Sequence, residues 1–283
     1  MTSMTPQSQV PSPPSIAFIG GGNMARSLIA GLVAHGMAAA SIRVAEPVEA
    51  LRSALHDDYG VATFAGAAEA VDGAGTWVFA VKPQVMRAVC AELAGTAQSS
   101  RPLVVSIAAG ITSDQLDRWL DGGLAVVRTM PNTPALLGAG ITGLFANAHV
   151  DAQQRAQAGH ILSSAGETVW IDDETLMDAV TAESGSGPAY VFLLAEAMQA
   201  AGEAQGLPAD TARKLAAQTI LGAARMLVES GETAEVLRKR VTSPGGTTQA
   251  AIETFEAGGF RELVGCAITA ATVRGRELSK AND

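Results

Sequence analysis

The chain has 283 residues, 48% of them hydrophobic and 17% charged, with a formal net charge of −9. That length suggests about two domains with a sizeable core, while the acidic balance, the lack of any basic cluster and the few aromatics (seven Phe, three Trp, two Tyr) argue against nucleic acid as a partner. Cys90 and Cys266 stand far apart with no metal or redox spacing, and no apolar run reaches the ~18 residues of a membrane span, so the expectation is a cytoplasmic protein with reduced thiols, no metal and no membrane partner.

Residues 1–15 are mostly Pro, Ser, Thr and Gln without a positive charge, which fits neither a secretory signal nor a transit peptide and reads as a disordered lead-in. The apolar run Ile16-Ala17-Phe18-Ile19 then enters three glycines, and beyond them Met24, Leu28, Leu32 and Val33 recur at helical spacing. Strand, tight turn and helix follow one another, and Gly20, Gly22 and Ala25 match the pattern G-x-G-x-x-G/A. In that pattern the first glycine makes the turn and the second lets the backbone approach a pyrophosphate. The small third residue packs helix on strand, and the free amides at the helix start hold the phosphates. Glycine-rich turns also occur without a ligand, but this position between strand and helix favours a dinucleotide.

The stretch 41–45 reads as a second strand ending at Glu46, 26 positions after Gly20. A carboxylate there either accepts from the adenosine ribose hydroxyls, which favours NADH because it repels a 2′-phosphate, or sits solvated in a loop beside Pro47. Arg43 and Arg52 stand close enough in sequence to receive a 2′-phosphate instead. A helix over 48–59 and a short strand over 61–63 come next, and the unbroken apolar run 76–81 reads as a strand buried on both faces. It ends at Lys82-Pro83-Gln84, where the lysine either faces a ligand at the carboxyl end of the sheet or is a solvated loop residue. Strands over 103–107 and 125–128 flank a helix over 112–120 capped by Thr112 or Ser113. Met130-Pro131-Asn132-Thr133-Pro134 breaks the pattern, because two prolines forbid regular pairing, and either lines a pocket or simply turns. Apolar segments 140–145 and 168–171 extend the sheet around a helix over 152–163. Alternation of strand and helix implies an α/β fold with a doubly wound Rossmann-type sheet over 16–172.

From Asp172 onward helical patterns replace strands: 189–202, 209–230, 232–240, 247–257 and 260–280. This all-helical, alanine-rich C-terminal domain, 173–283, carries long apolar faces and a small core of its own, which predicts cover by a second subunit. Its polar knot is 241–248, where hydroxyls and glycine amides meet a helix start. That suits a small carboxylate, or serves only as a cap. Ser184-Gly185-Ser186-Gly187-Pro188 leaves a similar choice between hinge and ligand turn. The four histidines form no metal spacing, and no Ser-His-Asp elbow occurs.

Five blocks in order closely resemble the pyrroline-5-carboxylate reductase family: 18–25, Ala80-Val81-Lys82-Pro83-Gln84, 130–134, Ser184-Gly185-Ser186-Gly187-Pro188-Ala189-Tyr190 and Thr242-Ser243-Pro244-Gly245-Gly246-Thr247-Thr248. The last block is the most specific. The resemblance implies hydride transfer from NADH or NADPH to the C=N carbon of 1-pyrroline-5-carboxylate, giving L-proline. It also implies a helical domain that forms a homodimer, with a pentamer of dimers as a further assembly. The cofactor positions it implies are Gly20, Gly22, Asn23, Met24, Ala80, Val81, Lys82, Pro83 and Asn132, with Lys82 and Asn132 flanking the nicotinamide; Glu46 joins them by its spacing alone and departs from the small polar residue or arginine usual in family members that prefer NADPH. For the substrate it implies Ser243, Gly245, Gly246, Thr247 and Thr248, with Thr248 at the ring nitrogen and Thr248 and Lys82 as the catalytic pair. Two readings compete: a dehydrogenase of the β-hydroxyacid type, whose lysine would have to be Lys214 or Lys239 outside any matching motif, and a nucleotide-binding regulator, which leaves 243–248 without a purpose.

Overall fold

The computed structural model describes residues 15–282, so the lead-in assigned to 1–15 lies, except for Ser15, outside the described residues. The chain runs β1 (Ile16–Ile19), α1 (Asn23–Ala34), β2 (Ile42–Ala45), α2 (Glu49–Tyr59), β3 (Ala62–Phe64), α3 (Ala67–Val71), β4 (Thr76–Phe79), α4 (Pro83–Ser100), β5 (Leu103–Ser106), α5 (Ser113–Trp119) and β6 (Val126–Met130). A 3-10 turn (Thr133–Leu137) leads to β7 (Gly140–Ala146), α6 (Ala152–Ser163) and β8 (Gly166–Trp170). These strands form one sheet in the order β3-β2-β1-β4-β5-β6-β7-β8, parallel throughout except for the antiparallel β6–β7 pair.

Period-two alternation along β1 builds a core on each face of the sheet. Ile16 and Phe18 join Leu28, Ile29 and Leu32 of α1 and Ile161 and Leu162 of α6. Ala17 and Ile19 join Trp77, Phe79, Met86, Cys90 and Leu93 on the other side. Full burial of side chains such as Trp77, Phe79 and Leu28 contributes about 1.5–3 kcal/mol apiece. Successive strands step outward from β1 to β3 and then cross to β4 on the other side of β1. The carboxyl ends of β1 and β4 therefore flank the point where strand order reverses, which is where open α/β sheets bind ligands.

Several element bounds differ from the sequence expectation. β3 begins at Ala62, one residue later than expected, and β4 stops at Phe79, although Ala80 still donates to the Ile19 carbonyl at 2.8 Å. α4, which covers 83–100, lacked a clear expectation because its sequence mixes Ala, Gly, Thr and Ser with few large apolar residues; Pro83 at its first turn opens it. β6 continues to Met130, since the barrier to pairing begins only at Pro131. Thr112 caps α5 in a capping box with Gln115.

Beyond β8 the chain is helical: α7 (Met177–Val180), a π-helical turn (Thr181–Gly185), α8 (Gly187–Ala204), α9 (Ala209–Glu229), α10 (Ala234–Arg240), α11 (Thr247–Ala257) and α12 (Phe260–Ala281). Packing divides the chain into two units. One runs to Gly185 and takes in the residues from Val273 on; the other is Ser186–Thr272. The sequence boundary at 172 divides by kind of element, whereas the packing divides at Gly185. In the helical unit only Ala212, Ala216 and Leu237 are buried among the described residues, while Phe192, Leu193, Leu221, Val228, Phe255 and Leu263 stand exposed. Faces of that kind are covered by another chain or aggregate. No helix among the described residues is long and apolar enough to cross a membrane.

Cys90 is fully buried, and burial pushes its thiol up to about 12 from an ordinary 9.0. The folded protein keeps that proton at a pH where the unfolded chain loses it. The thiol's contribution to stability is therefore complete below pH 9 and is lost as pH rises from there toward 12, at up to about 1.4 kcal/mol per pH unit. Unfolding free energies from urea titrations, plotted against pH, should fall more steeply for wild type than for Cys90→Ala above pH 9. Parallel slopes would contradict the shift.

Candidate active site

The glycine turn after β1 is built for a close backbone approach. Gly20 has φ +105°, a region that L side chains rarely adopt, and its N–H donates to the Ala45 carbonyl at 2.8 Å. A Cβ there would stand 2.7 Å from the Ala80 carbonyl oxygen. Glycine is therefore required both for the turn and for its passage against the end of β4. Gly22 is the N-cap of α1 and makes no side-chain cap; a Cβ on it would meet nothing within 4 Å. The first amides of α1, on Asn23, Met24 and Ala25, have no partner within the helix. An open, uncapped helix start beside a glycine turn fits a pyrophosphate: N–H donors point outward and the helix dipole favours negative charge.

Glu46, buried at the end of β2, accepts from Gly21 N–H (3.0 Å) through Oε2 and from Val48 N–H (3.0 Å) through Oε1. Its carboxylate thus braces the glycine turn and the start of the following loop, a role the sequence reading did not foresee. A carboxylate oxygen has two lone pairs, so each can still accept from a ribose hydroxyl. The two arginines divide. Arg43 turns away: its Nε donates to the Ala70 carbonyl and its guanidinium stacks on Phe64. Arg52 donates to the Glu46 and Pro47 carbonyls at 2.7 and 2.8 Å, in the loop after β2.

At the end of β4, Ala80 and Val81 are half-buried, and Lys82 is an exposed N-cap for α4 with Pro83 in the first turn. Asn132, beyond β6, is buried with both ends of its amide engaged by the chain. Oδ1 accepts from Ile141 N–H at 3.0 Å, and Nδ2 donates to the Ser184 carbonyl at 3.1 Å. Gly20, Gly22, Glu46, Ala80, Lys82 and Asn132 all belong to the sheet unit, at or beyond the carboxyl ends of β1, β2, β4 and β6.

In the helical unit, α10 ends at Arg240 and a turn follows. Thr242 Oγ1 donates to the Arg238 carbonyl at 2.7 Å, Gly245 has φ +71°, and Gly246 N–H donates to the Ser243 carbonyl at 3.0 Å. Gly245 N–H donates to the side chain of Gln249 at 2.6 Å, so Gln249 braces the turn from one helical turn on. Its place four residues after Gly245 was the available signal, and the sequence reading passed over it. The amides of Gly245 and Gly246 are thereby used within the turn. Gly246 is the N-cap of α11 and makes no side-chain cap, so the first amides of that helix, on Thr247 and Thr248, lack intrahelical partners. A turn held open by its own hydrogen bonds, with uncapped amides and two hydroxyls, suits a small carboxylate better than a plain cap.

Among the described residues no group of His, Cys, Asp and Glu could hold a metal ion. A buried ion cluster escaped the sequence reading: Arg128 on β6 pairs with Glu174 (3.3 Å) and Asp178 (3.4 Å), and Glu174 also accepts from Ser113 N–H and Oγ.

Residues 174–278 match the family model described as Pyrroline-5-carboxylate reductase dimerisation, and residues 15–110 match the one described as NADP oxidoreductase coenzyme F420-dependent. The pyrroline-5-carboxylate reductase of Pseudomonas aeruginosa is 52% identical over 95% of this chain and 98% of its own. A solved pyrroline-5-carboxylate reductase from Coxiella burnetii superposes with a TM-score of 0.91 at 42% identity, covering 94% of this chain and 99% of that one. The Plasmodium falciparum pyrroline carboxylate reductase, solved with NADP bound, gives a TM-score of 0.82 at 27% identity over 94% and 98%. With both polar turns in place and the likeness running through nearly the whole length, the chain belongs to the pyrroline-5-carboxylate reductase family.

Proposed function

We propose that this protein reduces 1-pyrroline-5-carboxylate to L-proline with NADH or NADPH, the last step of proline biosynthesis. The observation that carries the reading is the uncapped turn at Ser243–Thr248, a polar helix start with free amides in a chain that also holds a dinucleotide turn at Gly20–Gly22. A regulator would have no use for that second turn. The β-hydroxyacid alternative fails on its lysine: Lys239, itself exposed on α10, is tied to Glu235 at 2.6 Å, and Lys214 is an exposed residue of α9 outside any matching motif.

The nicotinamide, when bound, supplies the hydride. The chain supplies grip, position and charge. Gly20, Gly22, Asn23 and Met24 receive the pyrophosphate, Glu46 the adenosine ribose, and Ala80, Val81, Lys82 and Pro83 the nicotinamide end. Ser243, Gly245 and Gly246 shape the substrate turn, with the Thr247 and Thr248 amides donating to the carboxylate. The Thr248 hydroxyl donates toward the ring nitrogen. A threonine hydroxyl is too weak an acid to protonate an imine, so the substrate arrives protonated or takes its proton from water, and Thr248 orients it. Thr248→Ala should lower kcat/KM about 10- to 100-fold, the loss of one positioned donor in the transition state, with little change in cofactor affinity. Steady-state kinetics that kept the wild-type kcat/KM would remove that role.

Glu46 supports use of NADH at least as efficient as use of NADPH, since its buried carboxylate opposes a 2′-phosphate that Arg52 alone would have to offset. Comparing kcat/KM for the two cofactors tests this; a strong preference for NADPH would discard the role of Glu46 and leave the reaction intact. Association of copies of this chain through the helical unit is supported by its exposed apolar faces and by the dimerisation match. We read the unit as a homodimer, and a pentamer of dimers as the further assembly. A cytoplasmic location accords with two free thiols, Cys90 and Cys266. Pyrroline-5-carboxylate-dependent oxidation of the reduced nicotinamide by purified protein tests the whole reading, and nucleotide binding without such oxidation would refute it.

A further inference from the structure

The segment 174–185 is fixed to β6, β7 and the loop between them by four separate contacts. Arg128 of β6 pairs with Glu174 and Asp178. Gly143 of β7 leaves room for Val180, whose Cγ1 would lie 2.6 Å from a Cβ at that position. Met130, the last residue of β6, lies against Gly185, where a Cβ would stand 2.5 Å from the methionine methyl. Asn132 donates from Nδ2 to the Ser184 carbonyl at 3.1 Å. The last two contacts fall on the π-helical turn Thr181–Gly185.

A π turn carries one residue more than the α-helical turn it replaces, is rare, and is frequent at functional sites. Here Thr181 and Ser184 donate their hydroxyls to the carbonyls of Met177 and Val180, and Asn132 takes the carbonyl of Ser184. If the turn relaxed to α-helix, the residues that follow would slip in register by one position. Those residues are Ser186, Gly187, Pro188, Ala189 and Tyr190, in one of the blocks on which the family resemblance rests.

We propose that Asn132 is a positioning residue for the reduction, acting through its hydrogen bond to the Ser184 carbonyl to hold the π turn and so the register of Ser186 and the start of α8. This rests on the reductase reading above and deepens it. One Nδ2 N–H of Asn132 goes to the Ser184 carbonyl and one lone pair of its Oδ1 takes the Ile141 N–H, so the side chain ties the loop after β6 to the turn.

Asn132→Asp keeps the acceptor for Ile141 N–H and deletes the donor to Ser184. The expected result is a fall of at least about tenfold in kcat/KM for pyrroline-5-carboxylate, with cofactor Kd within about threefold of wild type and faster hydrogen exchange at 181–186. Wild-type kinetics, or a loss of cofactor affinity matching the kinetic loss, would overturn the proposal. Gly185→Ala makes an independent test if Asn132→Asp does not fold. Its methyl presses on Met130, so activity should fall and be restored by adding Met130→Ala; no fall, or no restoration, counts against the proposal. A wild-type protein without turnover would defeat the reductase reading. In that case unchanged exchange at 181–186 in Asn132→Asp would separately defeat the hold on the turn.

Discussion

Gly20→Ala should weaken cofactor binding by about 10- to 100-fold while leaving the protein folded. The new methyl would start 2.7 Å from the Ala80 carbonyl oxygen, a backbone atom that moves only if the end of β4 moves, and it would sit on a residue with φ +105°. Backbone strain of that kind costs about 1–3 kcal/mol. Relief requires the turn to shift away from β4, which carries the free Asn23 and Met24 amides at the start of α1 out of line with a bound pyrophosphate. The free-energy range corresponds to the stated loss at about 1.4 kcal/mol per factor of ten. Isothermal titration with NADH reads the affinity, and circular dichroism checks the fold. Binding within threefold of wild type would mean that this turn does not hold the nucleotide. Gly22→Ala serves as a contrast. A Cβ at Gly22 meets nothing in the protein, so any loss of affinity there reports the space a ligand needs.

Arg128→Met should destabilise the sheet unit by about 3–5 kcal/mol, the cost of breaking a buried ion pair from one side. Arg128 is 4% exposed, and Glu174 and Asp178 are mostly covered, so removing the guanidinium strands two carboxylates in a poorly solvated place. Replacing all three by neutral residues of similar size (Arg128→Met, Glu174→Gln, Asp178→Asn) should recover most of the loss, because the penalty comes from unpaired charge and not from missing attraction. Denaturant unfolding at one fixed protein concentration measures both variants, which matters in a protein that associates. A loss below about 1 kcal/mol for the single variant would show that water reaches the cluster.

The parts of this molecule that the sequence made legible are those with local causes. The run Ile16–Ile19 into three glycines announces strand, turn and helix because each step uses neighbouring residues, and the structure has all three. The switch from strands to helices after Asp172 was visible for the same reason, since periodicity is a property of a short window. Contacts across the chain were not visible. Nothing near Arg128 signals partners at 174 and 178, and nothing in Asn132 signals a bond to residue 184, because each depends on strands and turns far apart in sequence. Glu46 lies between these cases. Its spacing from Gly20 suggested a ribose acceptor, while its bonds to the Gly21 and Val48 amides required the folded loop. The turn at 243–248 was legible in composition, yet which amides remain available depends on Gln249 and Ser243 taking those of Gly245 and Gly246.

Purified protein incubated with 1-pyrroline-5-carboxylate and NADH, with L-proline quantified against NADH consumed, tests the central claim most directly. One proline should form for each NADH oxidised, and oxidation should stop when the imine is left out. Protein that binds NADH yet forms no proline from it, or from NADPH in a parallel reaction, would contradict the account and return the chain to the nucleotide-binding regulator.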